Sequence, residues 1–290
     1  MEELRFDGRA AIVTGAARGI GRAHALLLAA RGASVVVADF GGEVDGAGAS
    51  HGPADEVVAE IRAAGGTAVA CYASVADAKQ AASIVDTALD SFGRLDILVN
   101  NAGINLPGPF EQHTVDSFQR LFDVHFWGTY HVLRAAWDPM VSAGYGRIVN
   151  TLSEAIFGFP GEIAYGAAKG AAMGLTLNLA LEAPAHGILV NGLAPRAHTR
   201  MTPADVPDDI RQMMPPELVA PAAAFLAHES CQLNGQIFVA GVGGVNSLFI
   251  AHNAGIQRPD MALEDVAENI DVITERSTNF IQDVSWATQG

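Results

Sequence analysis

The chain has 290 residues, half of them apolar and 17% charged, with a net charge of −15. That length accommodates one large α/β domain with a sizeable core, and the acidic balance excludes nucleic-acid binding, which needs clustered Lys and Arg. Two cysteines, Cys71 and Cys231, form no CxxC pair, and nine scattered histidines lack metal-ligand spacing, so neither a disulfide framework nor a catalytic metal is expected. The N-terminus carries acids and no long apolar stretch, unlike a signal peptide. No uncharged apolar run reaches the ~20 residues needed to cross a bilayer. A cytoplasmic protein without membrane contact follows as the expectation.

In chain order, residues 10–14 read as a strand. It runs into the glycine turn Gly15-Ala-Ala-Arg18-Gly19-Ile20-Gly21 and then into a helix over 20–31. The spacing is GxxxGxG. Glycines there let the backbone turn tightly and approach a pyrophosphate on the helix N-terminus. A second strand over 34–39 ends in Asp39, where a carboxylate accepts hydrogen bonds from adenosine ribose hydroxyls. Residues 40–53 form a glycine-rich loop longer than an ordinary connection, expected either to cover part of the adenosine pocket or to pack at a subunit contact. Further strands are predicted at 67–71, 96–100, 147–152, 188–193 and 236–240, and helices at 54–64, 75–92, 114–137, 165–182 and 217–228. The alternation predicts a doubly wound parallel sheet with helices on both faces, a Rossmann-like α/β fold. Residues 1–245 form one domain in this reading. The extension 246–290, with a helix near 261–274, is expected to pack on the core or on a partner subunit.

The richest stretch is Tyr165-Gly-Ala-Ala-Lys169, with Ser153 upstream. Four residues make one helical turn, so Tyr165 and Lys169 share a face. A free tyrosine, with a pKa near 10, is a poor base at neutral pH. A neighbouring ammonium favours the phenolate and is expected to lower that value toward working pH. Ser153 can then hydrogen-bond the reacting oxygen. Together the three make a proton-transfer set for an alcohol/ketone reaction.

With Asn100-Asn101-Ala102-Gly103 added, these motifs stand in the order and spacing of the short-chain dehydrogenase/reductases, which the chain resembles from about residue 6 to residue 245. Within that family it resembles the (3R)-hydroxyacyl-CoA dehydrogenase part of peroxisomal multifunctional enzyme type 2. The resembling segments are Asp39-Phe40-Gly-Gly, Val124-His125, Arg134-Ala-Ala-Trp137, Tyr145-Gly-Arg-Ile148 and Val219-Ala-Pro221, with His228-Glu-Ser-Cys231 and the tail around Met261.

The resemblance implies hydride transfer between a nicotinamide cofactor and a secondary alcohol or ketone, in a homotetramer or homodimer. The substrate class implied is a 3-hydroxyacyl-CoA or 3-ketoacyl-CoA; the alternatives are a ketone, steroid or terpenol with the same mechanism, or a non-catalytic NAD-sensing protein. Catalytic roles fall to Ser153, Tyr165 and Lys169, with His125 as a proton-relay residue where many members carry Asn. The cofactor contacts implied are Gly15, Arg18, Gly19, Ile20 and Gly21; Asp39 and Phe40; Ser74 and Val75; Asn101, Ala102 and Gly103; Tyr165 and Lys169; and Pro195 and Thr199. Asp39 favours NAD and Arg18 favours NADP. Phe40 supplies no second cation, so NAD is expected and NADP is the alternative. Ala73 stands where many members hold the adenine amine with Asp. Arg196, His198 and Arg200 are expected either to meet an acyl-CoA phosphate, or to face solvent or pair with Asp205, Asp208 and Asp209.

Overall fold

Short runs of Val, Ile and Ala become the strands of one sheet, and the residues between them become its two layers of helices. The computed structural model describes residues 3–202, 206–276 and 280–281. Its strands are β1 (Ala10–Thr14), β2 (Ser34–Ala38), β3 (Thr67–Cys71), β4 (Ile97–Asn100), β5 (Gly146–Thr151), β6 (Ile188–Arg196), β7 (Ile237–Gly241) and β8 (Gly244–Leu248). Their order is β3-β2-β1-β4-β5-β6-β7-β8. The first seven pair in parallel. Order reverses between β1 and β4, and in such sheets the crevice beyond the strand C-termini at that reversal is where ligands bind.

The helices are α1 (Gly19–Ala30), α2 (Gly52–Ala63), α3 (Ala78–Phe92), α4 (Val115–Phe122), α5 (Gly128–Ala143), α6 (Ile163–Glu182), α7 (Asp208–Gln212) and α8 (Ala220–Ala227). Successive side chains on a strand point to opposite faces, and the two cores divide accordingly. Val13, Val35, Val37 and Val99 pack with Leu28 of α1, Val57 of α2 and Leu226 of α8. Ile12, Val36, Leu98 and Ile148 pack with Ile84 of α3 and with Val132 and Met140 of α5. Both cysteines are buried.

Several boundaries differ from expectation for local reasons. Helix α3 starts at Ala78 because the Asp77 carboxylate accepts hydrogen bonds from the backbone N–H groups of Lys79 and Gln80. The single helix expected over 114–137 is α4, then a π-helical turn at Asp123–Trp127, then α5, which continues through Pro139 to a left-handed Gly144. The fully buried Met140 lies beyond that proline and anchors the last turn in the core. Strand β8 was not anticipated. Its hairpin turn is Val242-Gly243, with φ of 53° and 73°. Two positive φ values in a two-residue loop are those of a type I′ turn, which Asn-Gly or Asp-Gly ordinarily signals. So short a connection makes β8 antiparallel to β7.

The chain divides into two compact units, residues 1–247 and 248–290. In the second, Ala251–His252 pairs antiparallel with Phe280–Ile281. The helix expected near 261–274 is two short ones, Leu263–Glu268 and Ile270–Ile273. Asn253 Nδ2 donates to the carbonyl oxygens of Val272, Ile273 and Glu275.

At the opposite end of the sheet from the crevice, buried Asp96 ties β1 to β4. It accepts from the Ala10 N–H at 2.9 Å, from Arg94 at 2.7 Å through each oxygen, and from Arg9 at 3.0 Å. Burial pushes its carboxyl up, but the bonds from Arg94, Ala10 and Arg9 outweigh burial and hold it below the usual carboxylate range. A depressed native pKa contributes stability that is complete above the unfolded value and disappears as pH falls through the folded one. Asp96→Asn is therefore expected to destabilise the protein by about 3 kcal/mol at neutral pH. In urea melts the gap from the wild type should narrow below about pH 4.

Candidate active site

The C-terminal end of β1 is fastened to the C-terminal end of β4. Thr14 Oγ1 accepts from the Asn101 N–H at 2.9 Å and the Ala102 N–H at 3.0 Å, while Asn101 Nδ2 donates to Thr14 O at 3.0 Å and Gly15 O at 3.2 Å. The glycine turn lies against this fastening. A Cβ on Gly21 would stand 2.1 Å from Gly15 O and 2.5 Å from Asn101 Nδ2. Beside Gly103, a Cβ would stand 2.6 Å from His125 Cε1. Only glycine fits at either position.

A cavity of about 770 Å³ opens here. It brings together every residue expected at the site: the Gly15–Gly21 turn, Asp39 and Phe40, Ser74 and Val75, Asn101 to Gly103, His125, Ser153, Tyr165, Lys169, Pro195 and Thr199. Asp39 is oriented by its own neighbours, Oδ2 accepting from the Ala17 N–H at 2.8 Å and Oδ1 from the Gly41 N–H at 2.7 Å. Each oxygen keeps a lone pair. Helix α1 has no side-chain cap, which leaves the N–H groups of its first turn to a ligand. An uncapped helix start, a glycine-rich turn and an oriented carboxylate fit a dinucleotide. The loop after β2 lines the same cavity through Gly42 to Gly46, so of its two expected positions it takes the one over the pocket.

Helix α6 carries Tyr165 and Lys169. It is tied to the sheet by a buried relay: Asn100 Nδ2 donates to Asn150 Oδ1, Asn150 Nδ2 to Thr176 Oγ1, and Thr176 Oγ1 to Ala172 O, at 2.9, 3.0 and 2.7 Å. Lys169 Nζ donates to Thr151 O at 2.6 Å and lies 5.7 Å from the Tyr165 ring centroid. Ser153 lies two residues beyond β5, where its hydroxyl accepts from the Ala155 N–H at 3.1 Å and draws the Tyr165 phenol down. The expected lowering of the phenol by Lys169 is not met in the free chain. Burial pushes Tyr165 up to about 12 against the pull of the Ser153 bond, and pushes Lys169 down to about 7. Burial holds each group toward its neutral form.

The π-helical turn directs His125 inward, 5.0 Å from the Tyr165 ring and perpendicular to it. His125 Nε2 lies 2.8 Å from Ile104 O and 3.2 Å from Ile104 N. One nitrogen cannot donate and accept in a single tautomer, and the shorter contact fits Nε2–H donating to the carbonyl. Nδ1 is buried without a protein partner. Burial, helped by the Lys169 charge, pushes the imidazole down to about 3, so it is neutral.

Arg196 faces solvent and makes two 2.6 Å bonds to Glu154 rather than to the expected aspartates. Arg200 bonds Glu43 and Gly42 O, and Asp208 pairs with Arg211. Asp205 lies outside the described residues. Sequence reasoning passed over Glu162, Asn105 and Arg120, all of which line the cavity; the position of Glu162 one turn before Tyr165 was the available signal for it. Beside this cavity runs an open apolar groove of about 530 Å³, lined by Phe110, Ile156, Phe159, Pro160 and Ile163. Ala155, Phe159, Pro160 and Glu162 line both. Among the described residues no helix is long and apolar enough to cross a membrane.

Comparison with known proteins agrees with this geometry. The sequence profile described as short chain dehydrogenase matches residues 9–209. A protein named as a short-chain type dehydrogenase/reductase in Mycobacterium tuberculosis is 46% identical, covering 93% of this chain and 95% of that protein. Peroxisomal multifunctional enzyme type 2 of Mus musculus is 46% identical over 84% of this chain, which spans only 33% of the mouse protein's length. A solved 7α-hydroxysteroid dehydrogenase complexed with NADH and 7-oxo glycochenodeoxycholic acid superposes with a TM-score of 0.75 at 32% identity, covering 84% of this chain and 98% of that one.

Gly21→Ala should cost about 2 kcal/mol in a thermal melt, because its Cβ meets backbone rather than a side chain that can turn away. It should also abolish the fluorescence change on titration with reduced nicotinamide dinucleotide. A folded variant with unchanged nucleotide affinity would show that the turn does not hold the cofactor.

Proposed function

The chain belongs to the short-chain dehydrogenase family, and on that premise we propose that it is an NAD-linked 3-hydroxyacyl-CoA dehydrogenase. As a family member it is an oxidoreductase of CH–OH donors and uses a nicotinamide cofactor. The observation that carries the finer reading is the convergence of Ser153, Tyr165 and Lys169 on a cavity that continues into an apolar groove.

Bound nicotinamide supplies or accepts the hydride at the carbonyl carbon. Tyr165 gives or takes the proton on the substrate oxygen, and Ser153 holds that oxygen in place. A phenol that keeps its proton in the free site is set to donate to a developing alkoxide. The phenolate that remains is stabilised by the Ser153 hydroxyl and by Lys169, whose ammonium also meets the nicotinamide ribose. His125, neutral and with Nδ1 unpaired, is assigned the proton relay behind Lys169. Asp39 receives the adenosine ribose hydroxyls and repels a 2′-phosphate more strongly than the single Arg18 attracts it, which favours NAD over NADP. The groove takes the acyl chain.

Initial rates with NADH and NADPH against a panel of ketones, a 3-oxosteroid and an acetoacetyl thioester test the reading. Fast NADH-linked reduction of the thioester is expected. Turnover of free ketones or steroids alone overturns the substrate, and NADPH preference overturns the role of Asp39. Tyr165→Phe should lose about a thousandfold in kcat while still binding the nucleotide.

A further inference from the structure

Tyr165 is bracketed on its own helix. Lys169 follows it by one turn, and Glu162, the N-cap residue of α6, precedes it by one turn. Glu162 Oε1 accepts from Asn105 Nδ2 at 3.1 Å, while Oε2 is buried without a hydrogen-bond partner. Asn105 is itself buried and fully engaged: its Oδ1 accepts from the Leu106 N–H at 2.9 Å, and its own N–H donates to Val44 O at 2.9 Å in the loop over the cavity. A carboxylate is thus tethered by a neutral donor, with one oxygen buried, where solvent screens its charge less than at the open surface.

From this geometry we propose that Glu162, held by Asn105, is a positioning residue that acts through Tyr165 by opposing the phenolate that Lys169 favours. The groups facing the phenol from the surrounding elements are few. Lys169 comes from α6, the neutral His125 from the π-helical turn, the Ser153 hydroxyl from just beyond β5, and Glu162 from the helix start. Glu154, also on the cavity wall, is spent on Arg196. Among the described residues, Glu162 is the anionic side chain whose charge acts on the phenol, and it pushes the Tyr165 pKa further in the direction that burial already drives it. The effect is to keep the proton on Tyr165 until the substrate oxygen takes it.

The proposal rests on Tyr165 being the acid/base group, but its test needs no turnover. Phenolate absorbance is titrated in the free protein, with Tyr165→Phe subtracted to isolate one of the four tyrosines. The comparison is made at an alkaline pH where circular dichroism shows every variant folded. Glu162→Gln keeps an acceptor for Asn105 and removes the charge. It should raise the Tyr165 phenolate fraction about threefold. Glu162→Asp, which keeps the charge, should return it toward wild type. Asn105→Ala, which frees the carboxylate, should move it in the same direction as Glu162→Gln by a smaller amount. A purely structural Glu162 would change the melting temperature and leave the titration untouched. Superimposable titrations for the wild type and Glu162→Gln overturn the proposal. If that variant does not fold, an unchanged titration in Asn105→Ala does the same. Turnover lost in Tyr165→Phe alongside an unchanged Glu162→Gln titration would sink this inference and leave the proposed reaction standing.

Discussion

The site exists because two strand ends that are distant in sequence are held side by side. Thr14-Gly15 at the end of β1 and Asn101-Ala102 after β4 exchange four hydrogen bonds, at 2.9–3.2 Å, across the point where strand order reverses. Chains leaving β1 and β4 must diverge there, one to each face of the sheet, and the crevice is the space between them. The Thr14 hydroxyl satisfies two backbone N–H groups that would otherwise be stranded. The glycine turn against Asn101 and the close packing of Gly103 on His125 take their positions from this fastening.

Burial then sets the chemistry. Lys169 and His125 are buried and Tyr165 half-buried on the cavity wall, and burial pushes all three toward neutrality, one up and two down. In water a lysine one turn from a tyrosine would hardly matter, because screening removes most of the interaction. In this cavity the same spacing matters, but so does the penalty on each separate charge, and in the free protein the penalty wins. The pair is therefore a reserve of charge: any ligand that stabilises an ammonium or a phenolate there shifts both groups. This is how a tyrosine can hold its proton in the resting site and still exchange it at the moment of reaction.

Much of this was legible in the sequence because it depends on local rules. Glycine spacing, apolar runs and the Tyr165-to-Lys169 turn are each set within a few residues, and they placed seven strands and put Tyr165 and Lys169 on one helix facing the cavity. What escaped depends on contacts across the chain. The π-helical turn at Asp123–Trp127 leaves no mark on periodicity that a continuous helix would not also leave, yet it is what turns His125 inward. Strand β8 hides behind a Val in a positive-φ position, where turn chemistry would call for Asn or Gly. Arg196 was read from its neighbours in sequence, whereas its partner Glu154 lies 42 residues away, in the 3-10 turn that follows β5. The direction of the Tyr165 shift was misjudged because spacing reveals a nearby charge but not the burial around it.

The cradle and its cover are built on different scales of strength. Backbone-deep hydrogen bonds hold the crevice, but the loop over it is pinned mainly from outside. Arg120 reaches Asp45 O at 2.5 Å from α4, and Arg200 reaches Glu43 and Gly42 O at 3.3 Å from beyond β6. These arginines are more than two-fifths exposed, and exposed pairs of this kind contribute about 0–1 kcal/mol each. The Val44 carbonyl bond to Asn105 is the one tie that reaches a buried residue. A dinucleotide that must enter and leave in every cycle is compatible with such a cover, because lifting it breaks weak contacts and leaves the Thr14–Asn101 fastening untouched. The tie to Asn105 makes the cover more than a shield: the segment that lines the cavity also steadies, through Asn105, the Glu162 carboxylate one turn before Tyr165.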